Sequence, residues 1–218
     1  QRMRLRLIES ALRVFAEKGL DAASIDDVIV VAGVSRGTFY NYFRTEAELA
    51  AAVSEELTSE AIGHIEAAVG RLDNPAERVA RGLRLYLGAA AKYPLFASFT
   101  SQAGLRAVSP NQLLREYLPR HIAEGVKSGR MDVPDVSLAV DMIVGAALSA
   151  VHALSTRTVR RDYIDNVAMH VLVGLGVARA AARRLACAPI DAIELPEDSL
   201  LARTQQGSSS AGQRVSSA

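Results

Sequence analysis

Between Ser24 and Leu49 the chain reads SIDDVIVVAGVSRGTFYNYFRTEAEL, and this stretch concentrates side chains suited to reading a nucleic acid. Arg36 can donate to guanine, Asn41 can pair with adenine, and Thr38 can touch a thymine methyl or a phosphate. Tyr40 and Tyr42 can offer hydroxyls to phosphates, which fixes a protein's register without reading sequence. Gly37 has no side chain to hold a helix away from a duplex. Ser24, Ser35 and Arg44 complete the candidate DNA-binding set.

These residues need rigid elements to present them. Met3, Leu7, Ala11, Val14 and Phe15 recur at helical spacing, which predicts an amphipathic first helix that stops at Gly19. Arg2, Arg4 and Arg6 are either its solvated face or a phosphate-seeking arm. Ser24 followed by Asp26 and Asp27 suits the start of a second helix, Ile25 to Val31, because acids stabilise a helix N-terminus. Ala32-Gly33-Val34 reads as a tight turn in which Gly33 supplies the backbone conformation and Val34 plugs the gap. Ser35 caps a third helix through Tyr42 or Phe43, with Phe39 and Phe43 four apart and so on one inward face. Short helices joined by a glycine turn follow the helix-turn-helix plan. Thr45 and Glu48 form a capping box for a fourth helix that runs to Val69.

Composition removes other classes. Half of the 218 residues are hydrophobic, enough for a real core, and the abundance of Ala, Leu, Arg and Glu predicts an all-α fold. Net charge is +1, so a DNA-binding surface must come from local clustering. Residues 1–44 carry seven basic against five acidic side chains. The lone cysteine, Cys187, excludes an internal disulfide and a cysteine-based zinc site, and a cytoplasmic protein fits best. The most apolar stretch, Leu138 to Leu154, is interrupted by Asp141 and His152, and no membrane span is expected. Glu60/His64 and His121/Glu124 lack the order and spacing of a paired Glu-x-x-His metal motif. There is no nucleophile elbow or phosphate loop, so no catalytic residue, metal or cofactor is assigned.

The segment closely resembles the TetR family of repressors. The resemblance rests on the first helix with Phe15, Glu17 and Gly19, then Ile25, Val28 and the run AGVSRGTFYNYF with Leu49 behind it. It is specific over the first fifty residues or so, and Gly174 to Gly176 late in the last helix is a weak further echo. It implies an Ω-shaped homodimer of about nine or ten helices per subunit, with Thr38, Tyr40, Asn41 and Tyr42 on DNA and Arg36 and Gly37 nearest the bases. The last two long helices would form a four-helix dimer interface. Two positions depart from the pattern: Ile29 replaces a small alanine, and Glu46 replaces a phosphate-seeking lysine, a role Arg44 can take over.

The expected architecture is therefore an all-α chain of about nine helices. A three-helix helix-turn-helix DNA-binding domain spans 1–47, and a helical ligand-binding and dimerisation domain spans 48–188. Residues 189–218 form a disordered tail, because Thr204 to Ala218 hold a single large apolar side chain. In the body, helices are predicted from Pro75 to Lys92, from Pro94, from Ser109-Pro110 to Gly129 with a kink or break at Pro119, from Pro134 to Leu154, and from Asp162 to Leu185. Tyr86, Tyr93, Phe96, Phe99, Gln102, Arg106, His121, Met142 and His152 are candidates for a pocket holding a small, largely hydrophobic effector, with Asp141 as a further polar candidate. Val140, Ile143, Val144, Ala147 and Val151, with Gly145, form an apolar face read as a dimer contact, joined by Val167, Val171, Gly174, Leu175 and Ala178. The expectation is a ligand-responsive homodimeric repressor on a palindromic operator, cytoplasmic and nucleoid-associated. The alternative is a helical DNA-organising or ligand-binding protein without promoter control.

Overall fold

Why the chain folds as it does is clearest at its helix ends. In the computed structural model, which describes residues 2–103, 112–191, 196 and 199–202, Ser24 Oγ accepts the Asp27 amide and Asp27 reaches back to the Ser24 amide, closing a capping box on α2 (Ile25–Ala32). Helix α1 (Arg2–Lys18) precedes it, and α3 (Arg36–Tyr40) follows under Ser35, whose hydroxyl accepts the Thr38 amide at 3.1 Å. Thr45 accepts the Glu48 amide at the start of α4 (Glu46–Val69), but the Glu48 carboxylate turns to the amide of Arg44, one residue short of a full box. Helices α5 (Pro75–Lys92), α6 (Pro94–Ala103), α7 (Gln112–Lys127), α8 (Val136–Thr156), α9 (Tyr163–Gly174) and α10 (Arg179–Ala186) follow, and no strand occurs among the described residues.

Helix α5 is the hub. It packs against α4, α6, α7, α8, α9 and α10, and Leu83, Leu87, Ala89 and Ala90 on it are buried. The amino-terminal helices and the body share one continuous core. Leu7, Ala11 and Phe15 of α1 join Leu49, Val53 and Leu57 of α4 and Phe96 and Phe99 of α6. The Phe15 ring meets Phe99 edge-on at 5.2 Å, so α6 touches α1 directly.

Several sequence expectations need correction. The span Asp162 to Leu185 is not one helix. Gly176 adopts φ +80°, and the Asp132 amide bonds Leu175 O at 2.9 Å. The loop before α8 is thus pressed against the α9–α10 junction, and the chain turns there. Gly174 and Gly176 mark that turn, not the late part of a long helix. Pro119 does not divide α7, which runs through it. Helix α3 stops at Tyr40, two residues before the earliest expected end. In the stretch after Pro189, Ser199 and Leu201 are buried, and the Glu60 carboxylate of α4 accepts the amides of Leu200 and Leu201 at 3.0 and 2.9 Å. This short piece is therefore packed on the body, and residues 203–218 lie outside the described residues.

Helix α8 is long and apolar enough, by length and composition, to cross a membrane. It packs on α5, α6, α7 and α9 within the body. Its inward face includes Ile143 and Val151, both buried, while Val144 and Ala147 border an internal cavity. Of the face expected at the dimer contact, Ile143 and Val151 are thus interior, while Ile143, Val167, Val171 and Leu175 also border a groove between α8 and α9. The apolar side chains that α8 and α9 expose are Leu138, Met142 and Val173.

Candidate nucleic-acid interface and internal cavity

The helix-turn-helix is built from its glycine outward. Gly33 sits at φ 62°, and its amide and that of Val34 take up the last carbonyls of α2. An αL residue here lets α3 cross over α2, and Val34 packs on the core. Phe39 and Phe43 anchor α3 at 0% and 2% exposure, with ring centroids 6.0 Å apart. Ile29 is half-buried against the same core.

With that anchor in place, Ser24, Ser35, Arg36, Gly37, Tyr40, Asn41, Tyr42 and Arg44 are all exposed, and Thr38 is half-buried. Tyr40 and Tyr42 are 48% and 39% exposed, far more than a tyrosine needs for packing alone. Asn41 and Tyr42 lie just past the end of α3. The Ser35 and Thr38 hydroxyls bond each other at 2.9 Å. A side chain added at Gly37 would meet only Ser35 Oγ, at 3.8 Å, so the fold itself does not require glycine there. Space for an outside partner remains a reason for it.

Arg36 is held. Its Nε donates to Asp26 Oδ1 and its Nη2 to both Asp26 oxygens, at 2.6 to 3.0 Å, which leaves the Nη1 hydrogens for another acceptor. Asp26 raises the Arg36 pKa further above its ordinary value, through the hydrogen bond first and charge second. The neighbouring Asp27 carboxyl is held below its usual range by Lys18 first and Ser24 second. Arg4 lies 5.6 Å over the Phe43 ring and pairs with Glu56, so this arginine belongs to the face of α1.

The body contains a cavity of about 110 Å³ between α4, α5, α7 and α8. Of the sequence candidates, Tyr86 and His121 line it. The others do not. Phe96 and Phe99 are core residues, Phe96 lying edge-on to Tyr86 at 5.5 Å. Tyr93 borders a separate cavity beside Arg84 and Asp165, and Met142 borders a groove between α8 and α9. Gln102 and His152 are exposed, and His152 Nδ1 pairs with Ser101. Asp141 is also exposed. Arg106 lies outside the described residues.

Sequence reading named His121 but not Glu66 and Arg78, which line the cavity with it. Glu66, Arg78, Arg120, His121 and Glu124 form a network: Glu66 accepts from Arg120 at 2.5 Å and from His121 Nε2 at 2.8 Å, and Arg78 bridges His121 Nδ1 and Glu124. Arginine can only donate, so His121 Nδ1 is the acceptor and Nε2 carries the proton toward Glu66. The Glu124 carboxyl is lowered, by the Arg78 hydrogen bond above all. At the other end stand Tyr86 and Thr58, with Thr100 behind. Burial pushes the Tyr86 hydroxyl up to about 12, with Thr100 and Thr58 pulling slightly the other way. The hydroxyls of Thr58 and Thr100 are buried and close no hydrogen bond of normal geometry. A usable signal existed: Thr58 and Glu66 interrupt the apolar stripe Ile62, Ile65, Val69, and a polar group on a buried stripe is the informative exception.

Comparison with known proteins supplies the remaining context. The family model for bacterial regulatory proteins of the tetR family matches residues 7–53, and that for the tetracyclin repressor-like C-terminal domain matches residues 74–187. The uncharacterised regulator YvdT of Bacillus subtilis is 40% identical over 67 residues, 31% of this chain and 33% of YvdT. The regulator TtgR of Pseudomonas putida is 37% identical over 57 residues, 26% of this chain and 27% of TtgR. The match thus spans about a third of these curated relatives. Among solved structures, RolR in complex with resorcinol superposes with a TM-score of 0.79 at 29% identity, covering 88% of this chain and 97% of RolR. RolR without ligand gives 0.75 at the same identity, covering 87% of this chain and 100% of RolR.

Proposed function

The chain belongs to the TetR family of bacterial regulatory proteins, and from that premise we propose that it is a homodimeric repressor that leaves its operator when a small molecule occupies the body. The observation that carries the DNA half is the exposed row Arg36, Gly37, Thr38, Tyr40, Asn41, Tyr42 and Arg44, set on a helix-turn-helix whose anchor residues are fully buried. Two such heads on a twofold axis would enter successive major grooves of an inverted repeat.

Dimer formation is supported by the outer side of α8 and α9. Leu138, Met142 and Val173 are 51%, 48% and 40% exposed, and they flank a groove bordered by Ala146, Tyr163, Val167 and His170. Apolar surface of this kind, on helices that also form the core, suits a symmetric contact with a second copy.

Effector control is supported by the cavity and by its wiring to the head. Helix α4 carries Leu49 and Val53 in the core shared with α1, and Thr58, Ile62 and Glu66 in the cavity wall. Tyr86, in the same wall, touches Phe96 on α6, and Phe99 on α6 touches Phe15 on α1. A ligand that favours one setting of α4 and α6 would change the spacing of the heads. The shift cannot exceed its difference in affinity for the two states, and operator must weaken ligand binding by the same factor. RolR forms a complex with resorcinol, a single-ring phenol, and the small cavity here fits an effector of that class. Titration of operator-bound protein with resorcinol checks this: release of DNA, with equal and opposite linkage, is expected. Independent binding of the two sinks the mechanism.

Two variants separate the roles at the DNA surface. Arg36→Ala is expected to lower preference for one base pair per half-site by about 5- to 100-fold, while Tyr40→Phe weakens binding to every sequence alike. Equal loss of preference in both contradicts the assignment. Asp26→Asn keeps the shape but removes the carboxylate that fixes the Arg36 guanidinium. It is expected to raise general, salt-sensitive affinity, since a negative charge near phosphate is gone, and to blur the base read by Arg36. Competition between specific and random duplexes measures both effects, and a parallel change in the two affinities excludes this role for Asp26.

A further inference from the structure

We infer that the cavity between α4, α5, α7 and α8 is a site for a single aromatic ring that carries hydroxyl groups on two separate sides. The inference rests on the reading of the body as an effector site and specifies what that effector must be.

Size comes first. The cavity measures about 110 Å³, and an apolar protein cavity of about 150 Å³ accommodates benzene. The cavity here is of that order and somewhat smaller, so a ligand seated within it is limited to about one ring. The walls come second. Ile62, Val79, Leu83, Ile143 and Leu118 line the middle, so the middle of the ligand must be apolar.

The polar groups come third, and they lie at two ends. Thr58 and Glu66 are eight residues apart on α4, and Arg78 and Tyr86 are eight apart on α5. Eight residues of helix rise about 12 Å. The two helices form an antiparallel hairpin, so Thr58 faces the level of Tyr86, and Glu66 the level of Arg78. One end is a hydroxyl cluster, Thr58 and Tyr86, with Thr58 1% exposed and lacking a well-formed hydrogen bond. The other is the Glu66–His121–Arg78 network. The two polar ends therefore stand about two helical turns apart along α4 and α5, with the apolar middle between them.

Each end can hydrogen-bond a hydroxyl. The Thr58 hydroxyl can both donate and accept, as can a phenol. Glu66 already takes Arg120 and His121 and keeps acceptor capacity for one O–H. A purely apolar ring would leave the buried hydroxyls unsatisfied, the unfavourable case for buried polar groups.

The test uses the purified full-length chain and calorimetric titration with resorcinol, 3-methylphenol and 1,3-dimethylbenzene. These share one shape and exchange hydroxyl for methyl one at a time. Resorcinol is expected to bind about tenfold tighter than 3-methylphenol, and the dimethyl compound more weakly again, on the order expected for a buried hydrogen bond left unmade. Thr58→Val makes the same exchange on the protein. It is expected to shrink the preference for resorcinol over 3-methylphenol to less than about threefold, and Thr58→Ser, which restores a hydroxyl, is expected to restore it. Equal binding of the three compounds, binding of none, or an undiminished preference in Thr58→Val overturns the assignment. These titrations contain no DNA. Their failure removes the assignment of the ligand, and with it the release expected from resorcinol, but leaves DNA binding standing, while failure of the wild-type chain to bind any operator removes the regulator reading.

Discussion

Replacing Phe39 by alanine is expected to abolish operator binding although Phe39 touches no DNA. The ring is fully buried, 6.0 Å from Phe43 and edge-on to Tyr40 at 5.5 Å. Removing a buried phenylalanine destabilises by about 3–5 kcal/mol. Helix α3 is only five residues long, too short to persist without tertiary packing. The loss therefore falls on the element that carries Arg36, Thr38 and Tyr40. Denaturant unfolding and anisotropy on labelled duplex check the two halves. Stability should fall by that amount, and specific affinity by orders of magnitude. A variant that keeps wild-type affinity would mean that α3 is not the reading element.

The second large effect lies far from DNA. Gly176→Ala adds a methyl group 2.6 Å from Asp132 O and 2.8 Å from Asp132 N, at a backbone φ of +80°. Those neighbours are backbone atoms, which cannot swing aside as the end of a flexible side chain can. Strain of about 1–2 kcal/mol from the left-handed backbone adds to about 1–3 kcal/mol of overpacking. Gly129 is an internal control: it too has positive φ, 67°, but a side chain there meets nothing within 4 Å. Gly129→Ala should therefore show the backbone strain alone. Thermal unfolding of the pair measures the difference, and equal destabilisation would mean that the Asp132 contact yields freely. Because Gly176 closes the end of α9, Gly176→Ala should also weaken dimerisation, read by sedimentation against concentration.

Where sequence reading succeeded, the signal was local. Ser24, Gly33, Ser35 and Thr45 act through their own backbone or an amide two or three residues on, so their roles follow from spacing alone. Phe39 and Phe43 declare an inward face by being four apart. Where it failed, the deciding contact was distant. The break at Gly176 depends on a loop around Asp132, more than forty positions earlier, and a continuous apolar stripe concealed it. The apolar face of α8 was visible, but which neighbour covers it was not. Val144 and Ala147 turned inward to the cavity, and Leu138 and Met142 outward. Phe96 and Phe99 lie on central helices, a position that suits either a pocket wall or the core. Their rings lie edge-on to Tyr86 and Phe15, in the core that the body shares with α1. The cavity's polar ends were set by Thr58, Glu66 and Arg78, residues of ordinary type whose meaning appears only when α4 and α5 are laid side by side. Asp26 was read as a helix-start acid, and its hold on Arg36 depends on the crossing of α2 and α3.

The central claim is that the exposed row on α3 reads a palindromic DNA site. The most direct measurement is selection from a random duplex library by the purified chain at physiological salt. The expected result is enrichment of one inverted repeat, its half-sites about one helical turn apart, and loss of the enriched base opposite Arg36 when the selection is repeated with Arg36→Ala. Retention of duplexes without any shared sequence, or failure to retain DNA at all, would contradict the claim.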